Sequence, residues 1–277
     1  MRERMPTSRS RLLNTAEIEL WPAHLLAARS NADARALARA RFVLRRKRDG
    51  RYLAASLPGG LLPLVPRLAH EPGLDAALDA LDAMAADAQR GNHGNAGELP
   101  LHRLHERLQA LGVDAGDYAA RTGLCLVPEP EWLAFAGRDR YARPLWLGAG
   151  AARAWQAMRA AAAGDGIVLE AISGYRSHDY QLGIFARKLE RGQEVAQILT
   201  VNAAPGYSEH HGGDALDIGT PGEPPAEESF EATPAFAWLQ AHAAGHRFAM
   251  SYPRGNRHGI VYEPWHWRFH AGTGEHA

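Results

Sequence analysis

The stretch RGNHGNAGELP, Arg90 to Pro100, limits what this chain can fold into more than any other. Glycine and asparagine dominate it, no apolar residue recurs at helical or strand spacing, and Pro100 closes it. Such a composition favours turns over packed elements. We expect a linker near residues 90–100, an N-terminal segment of unassigned role over 1–98, and a larger domain over 99–277. A chain of 277 residues is long enough for one sizeable core and a smaller companion.

Before the linker, Ala34–Ala40 reads as helical. RFVLRRKRDGRYLAAS reads as two strands joined at Asp49-Gly50, a pair that favours a hairpin turn. The basic run Arg45 to Arg48 reads as a solvated strand end. Asp75–Gln89 has helical spacing, with Leu78, Leu81 and Met84 on one stripe. After the linker, Leu101–Gly112 and Ala151–Ala163 read as helices, and Gly166–Ser173 as a buried strand. Ser177 can cap a helix through Tyr180 and Phe185 to Gly192. Thr233-Pro234 opens another helix that stops at Gly245. Arg247–Met250, Ile260–Tyr262 and His266–Phe269 read as short strands. Helices first and short strands clustered late predict an α+β fold, a small antiparallel sheet with helices around it, plus a smaller N-terminal α/β segment.

Charge and cysteine content exclude several functions. Lysine plus arginine balance aspartate plus glutamate, so no basic excess suggests nucleic acid. Cys125 is the only cysteine, which excludes an internal disulfide or a thiolate metal cluster; it reads as a buried apolar residue. The longest uncharged apolar run, Tyr52 to Pro66, is short and broken by glycine and proline, so no membrane span is expected. Arg2, Arg4, Arg9 and Arg11 make the N-terminus basic, but Glu17, Glu19 and Pro22 interrupt any apolar core, and no secretory signal is read.

Three stretches carry candidate chemistry. In SEHHGGDALDIG, Gly212 and Gly213 allow a tight turn and ALDI reads as a strand, on which Ala215 and Asp217 share a face. A histidine before the turn and Asp217 after it can converge as metal ligands; the plain alternative is a polar turn-forming loop. In VYEPWHWRFH, Pro264 favours an extended Glu263, so Glu263 and His266 are not the helical H-E-x-x-H arrangement. A bent strand could turn both toward one centre; the alternative is a Trp-rich core strand. Taken together, His210, Asp217 and His266 would be three N/O ligands leaving a fourth position for water, as in catalytic zinc sites. Glu263 beside them would move the proton. In SGYRSHDYQ, Arg176 precedes the Ser177-capped helix, where an arginine can hold a carboxylate; the alternative is a surface arginine paired with an acidic neighbour.

These stretches, in this order, resemble the VanY-like zinc D-alanyl-D-alanine carboxypeptidase family, whose metal site is hedgehog-like. The family pattern is S-G-Y/F-R-S…Q, S-x-H-x-x-G-x-A-x-D and E-x-W-H. Here it is met by Ser173-Gly174-Tyr175-Arg176-Ser177 with Gln181, by Ser208-x-His210-x-x-Gly213-x-Ala215-x-Asp217, and by Glu263-x-Trp265-His266. The resemblance covers about residues 101–269. It implies one zinc ion per chain on His210, Asp217 and His266, with His211 at a variable position. It also implies Glu263 as general base to a zinc-bound water and Arg176 as a catalytic and substrate-holding residue. Ser208, Gln181 and Tyr252 would line the substrate site. The implied activity is removal of the C-terminal D-alanine from peptidoglycan stem peptides or muropeptides, with no protein partner. L,D-carboxypeptidase, D,D-dipeptidase or endopeptidase action, and a non-catalytic zinc-stabilised binding module, stand as alternatives. Many relatives are exported, yet no signal is read here, so the compartment is left open.

Overall fold

A computed structural model describes residues 10–28, 30–90, 96–101 and 103–272. The arginines at 2, 4 and 9 lie outside the described residues, as do 91–95 of the expected linker. The chain divides into two units. The first takes residues 1–102 and 129–135, the second 103–128 and 136–277.

The first unit is richer in strand than its sequence suggests. Strands β1 (Arg11–Asn14) and β2 (Ile18–Pro22) form a hairpin, although Glu17 and Glu19 disguise it. Thr15 fixes the turn: its hydroxyl donates to the Ile18 carbonyl and accepts from the Ile18 amide. Helix α1 (Asn31–Arg39) starts at Ser30, whose hydroxyl accepts from the Asp33 amide. Strands β3 (Phe42–Arg46), β4 (Tyr52–Leu57) and β5 (Gly60–Pro63) follow, and the Asp49-Gly50 hairpin is present, with Gly50 at φ 70°. Six neighbouring strands of a seven-stranded sheet run β5-β4-β3-β2-β1-β6, each adjacent pair antiparallel, where β6 is Trp132–Arg138. Helix α2 (Leu74–Arg90) brings Leu74, Ala77, Leu81 and Met84 against Leu13, Leu20, Leu44 and Leu53 of that sheet. The basic run is no solvated strand end. Arg45 pairs with buried Glu19, Arg46 with Asp49 and Glu71, and Lys47 with Glu129; only Arg48 of the four is exposed.

The second unit holds helices α3 (Leu104–Ala110) and α4 (Ala115–Thr122), strand β7 (Pro144–Leu147) and helix α5 (Ala149–Gly164). Strand β8 (Glu170–Ser173), helices α6 (His178–Glu190) and α7 (Val195–Val201) and strand β9 (Ala215–Gly219) follow. Helix α8 (Pro234–His242) and strands β10 (Phe248–Met250) and β11 (His266–Phe269) complete it. Its sheet has the order β10-β11-β9-β8, all antiparallel. The expected α+β architecture is therefore present. α5 turns Ala151, Trp155, Met158 and Ala162 inward, with Trp155 fully buried. Three expectations fail here. Only Glu170–Ser173 of the expected buried strand Gly166–Ser173 is a strand, and Val168 is exposed. Ile260–Tyr262 is irregular, the Val261 amide bonding instead to the Thr200 carbonyl. Cys125 is exposed, because the segment after α4 has no regular structure to bury it. Among the described residues, no helix is long and apolar enough to cross a membrane.

Candidate metal centre

The site is assembled on the central strands of the second sheet. β9 and β11 pair with Asp217 directly opposite His266, so both side chains leave the same face. β8 ends at Ser173, and the chain then passes close under β7. A Cβ at Gly174 would lie 2.8 Å from the Trp146 carbonyl oxygen, so only glycine fits there. That close passage leaves the Gly174 carbonyl 2.8 Å from His210 Nδ1, which must donate to it. Nε2 of His210 is thereby the ring's open donor atom, and it lies 3.4 Å from Asp217 Oδ1.

His210 stands on a single 3-10 turn, Glu209–Gly212, which Gly213 ends in the left-handed conformation at φ 75°. The turn separates the two neighbouring histidines. His211 is wholly buried and tied to backbone: Nδ1 donates to the Arg176 carbonyl at 2.6 Å, and Nε2 accepts from the Gly206 amide at 3.1 Å. His210 instead faces His266, their rings edge to face at 4.9 Å between centroids. Nδ1 of His266 lies 3.1 Å from Asp217 Oδ1. One donor atom each from His210, Asp217 and His266 falls within 4.8 Å of the others, and all three residues are buried.

The remaining expected residues border this point. Glu263 Oε2 is 3.9 Å from His266 Nδ1, and a tight turn through Pro264-Trp265 joins the two residues. Arg176 Nη2 lies 3.8 Å from Asp217 Oδ2, while its Nη1 donates to Gln181 Oε1 at 2.9 Å. Gln181 is fully buried and anchored in turn by donation to the Ala203 carbonyl. Ser177 caps α6 as its sequence suggests, accepting from the Tyr180 amide. Tyr252 lays its ring 4.8 Å from that of His266, and its carbonyl accepts from the Glu263 amide. Ser208, also buried, opens the turn that carries His210.

One residue of the site is absent from the sequence reading. Glu209, in the variable position between Ser208 and His210, accepts from His266 Nε2 at 2.9 Å. No spacing rule marks it, because its partner lies 57 residues away.

The electrostatics follow from burial and proximity. Burial pushes the Glu263 carboxyl up to about 7, with Asp217 and Glu209 adding to the rise. Burial acts the same way on Asp217, but His210 and His266 hold it well below the usual carboxylate range. His210 is lowered, chiefly by burial. His266 resists burial through its hydrogen bonds with Asp217 and Glu209 and is raised to about 10. Two imidazoles, each with its far side tied, and a carboxylate are N/O donors of the kind that can hold a zinc ion. The residues present fit such an ion.

Residues 145–272 match the VanY family, described as D-alanyl-D-alanine carboxypeptidase. The chain is 38% identical over 124 residues to a Bacillus subtilis (strain 168) protein called "Putative carboxypeptidase YodJ", covering 43% of this chain and 44% of that one. It is 34% identical over 99 residues to a D-alanyl-D-alanine carboxypeptidase of Enterococcus faecium, covering 35% and 28%. It thus spans less than half the length of either relative. A solved LdcB LD-carboxypeptidase is 34% identical, covers 45% of this chain and 59% of its own, and superimposes with a TM-score of 0.42.

Proposed function

Residues 145–272 are VanY-like, and from that premise we propose that this chain is a zinc peptidase that removes the C-terminal D-alanine from peptidoglycan stem peptides. The observation that carries the reading is the convergence of His210 Nε2, Asp217 and His266 Nδ1, with Glu263 and Arg176 at its edge. His210, Asp217 and His266 would hold one zinc ion. When bound, zinc supplies a Lewis acid that polarises the scissile carbonyl and brings water toward a neutral pKa.

Glu263 is the general base. Its carboxyl, pushed up to about 7, is matched to accepting the proton of the attacking water and handing it to the leaving amine nitrogen. Such a base contributes about 10²–10⁴-fold to the rate. Arg176 orients the substrate: its guanidinium is fixed by Gln181 and presents fork-shaped donors to a carbonyl or carboxylate. Tyr252 and Ser208 line the same site. Tyr252 shields His266 on one side, and a dry wall strengthens the fields of the charged groups.

The test is zinc content together with D-alanine release from a pentapeptide stem, on the wild type and on Glu263→Ala. The reading expects one zinc per chain in both proteins and release from the wild type alone. Release persisting in the zinc-loaded Glu263→Ala protein would sink the assignment of the base. Mass spectrometry of products from mixed stem peptides distinguishes this bond from an L,D- or dipeptide linkage.

A further inference from the structure

We propose that Glu209 is a positioning residue for the metal centre: it holds the His266 ring so that Nδ1 points at Asp217 and His210. The inference rests on the metal-site reading above. It stands on three hydrogen bonds that converge on one buried carboxylate. Oε2 accepts from His266 Nε2 at 2.9 Å and from Ser251 Oγ at 2.6 Å, and Oε1 accepts from Arg268 Nη1 at 3.0 Å.

The geometry makes Glu209 a link between the strand surface and the ring. His266 and Arg268 are two apart on β11 and share a face of the sheet. Arg268 therefore reaches over to one oxygen of Glu209 while the other oxygen holds His266. Ser251, just past β10, fixes that second oxygen from another direction. An imidazole that donates Nε2–H to a carboxylate can give up its Nδ1 proton when a metal binds there, and the carboxylate raises the basicity of that nitrogen. The two histidines are thus set by different devices. His210 gives its spare proton to a backbone carbonyl, and His266 gives its own to a charged side chain. Glu209 and His210 are neighbours on one turn, so a short segment provides both a donor atom and the brace for a second.

The experiment is zinc affinity, by chelator competition on the full chain, for the wild type, Glu209→Gln and Glu209→Ala. It is paired with ¹⁵N NMR of the His266 ring in the zinc-loaded proteins. Loss of the brace should weaken zinc binding about 10–100-fold in Glu209→Ala, with a smaller loss in Glu209→Gln, which keeps an acceptor. The His266 Nε2 proton should move upfield and exchange faster in Glu209→Ala, a change that mere loss of packing would not produce. If Glu209→Ala does not fold, the pair Ser251→Ala and Arg268→Ala removes the outer holds on the carboxylate and should weaken zinc several-fold. A wild type that binds zinc while Glu209→Ala, or that outer pair, binds it equally tightly overturns the role of Glu209 alone. A wild type that takes up no zinc overturns the metal-site reading, and this role with it.

Discussion

In the first unit Lys47 Nζ sits 2.6 Å from Glu129 Oε2, both buried, and Asn14 Nδ2 donates to the same oxygen. In the second unit Asp217, Glu209 and Glu263 crowd around two histidines, with Arg176 and Arg268 at the margin. Both clusters bury charge, which is costly unless partners compensate. In the first, one cation meets one anion, and an amide donates to the same carboxylate oxygen. The second directs donor atoms of three residues at one point, and the far side of each ring is already occupied. A closed pair holds a fold together, whereas donor atoms aimed at a common centre are built for something that comes to them.

The comparison can be broken experimentally. The largest effect expected is from Asp217→Ala, which should take zinc from one per chain to almost none and abolish peptide release, read by metal analysis and product assay. Unchanged zinc content would mean that the second cluster is only structural. Next is Lys47→Ala, which removes the buried cation facing Glu129 and should cost the first unit about 3–5 kcal/mol, measured by chemical denaturation. Zinc content should not move. Replacing the pair together, Lys47→Met with Glu129→Leu, should recover most of that loss; a double variant as unstable as the single one would mean that the pair does more than neutralise itself. The smallest effect is from Ser177→Ala. Loss of the cap should destabilise α6 by about 1 kcal/mol and lower peptide release only through Arg176 and Gln181, seen as a higher KM.

The same comparison explains what the sequence made legible. Local chemistry was readable: the Asp49-Gly50 turn, the Ser177 and Thr233 caps, and the alternation that puts Ala215 and Asp217 on one face. Of the residues named from the three motifs, the fold brings donor atoms of His210, Asp217 and His266 together, with Glu263 and Arg176 beside them. What stayed hidden depends on distant partners. Lys47 looked solvated because Glu129 lies 82 residues on, and Glu209 looked variable because His266 lies 57 residues on. β1 and β2 were obscured by Glu19, whose charge is met from the neighbouring strand by Arg45. An acidic residue in a strand reads as a break until its cross-strand cation is known.

The direct opposition of Asp217 and His266 on paired strands has a consequence for assembly. Side chains alternate faces along a strand, so a slip of one residue between β9 and β11 would send the two groups to opposite sides of the sheet. A chain folded in the wrong register would therefore lose the centre outright and not merely weaken it. The proposed zinc would then add its binding energy to the correct pairing and to no other.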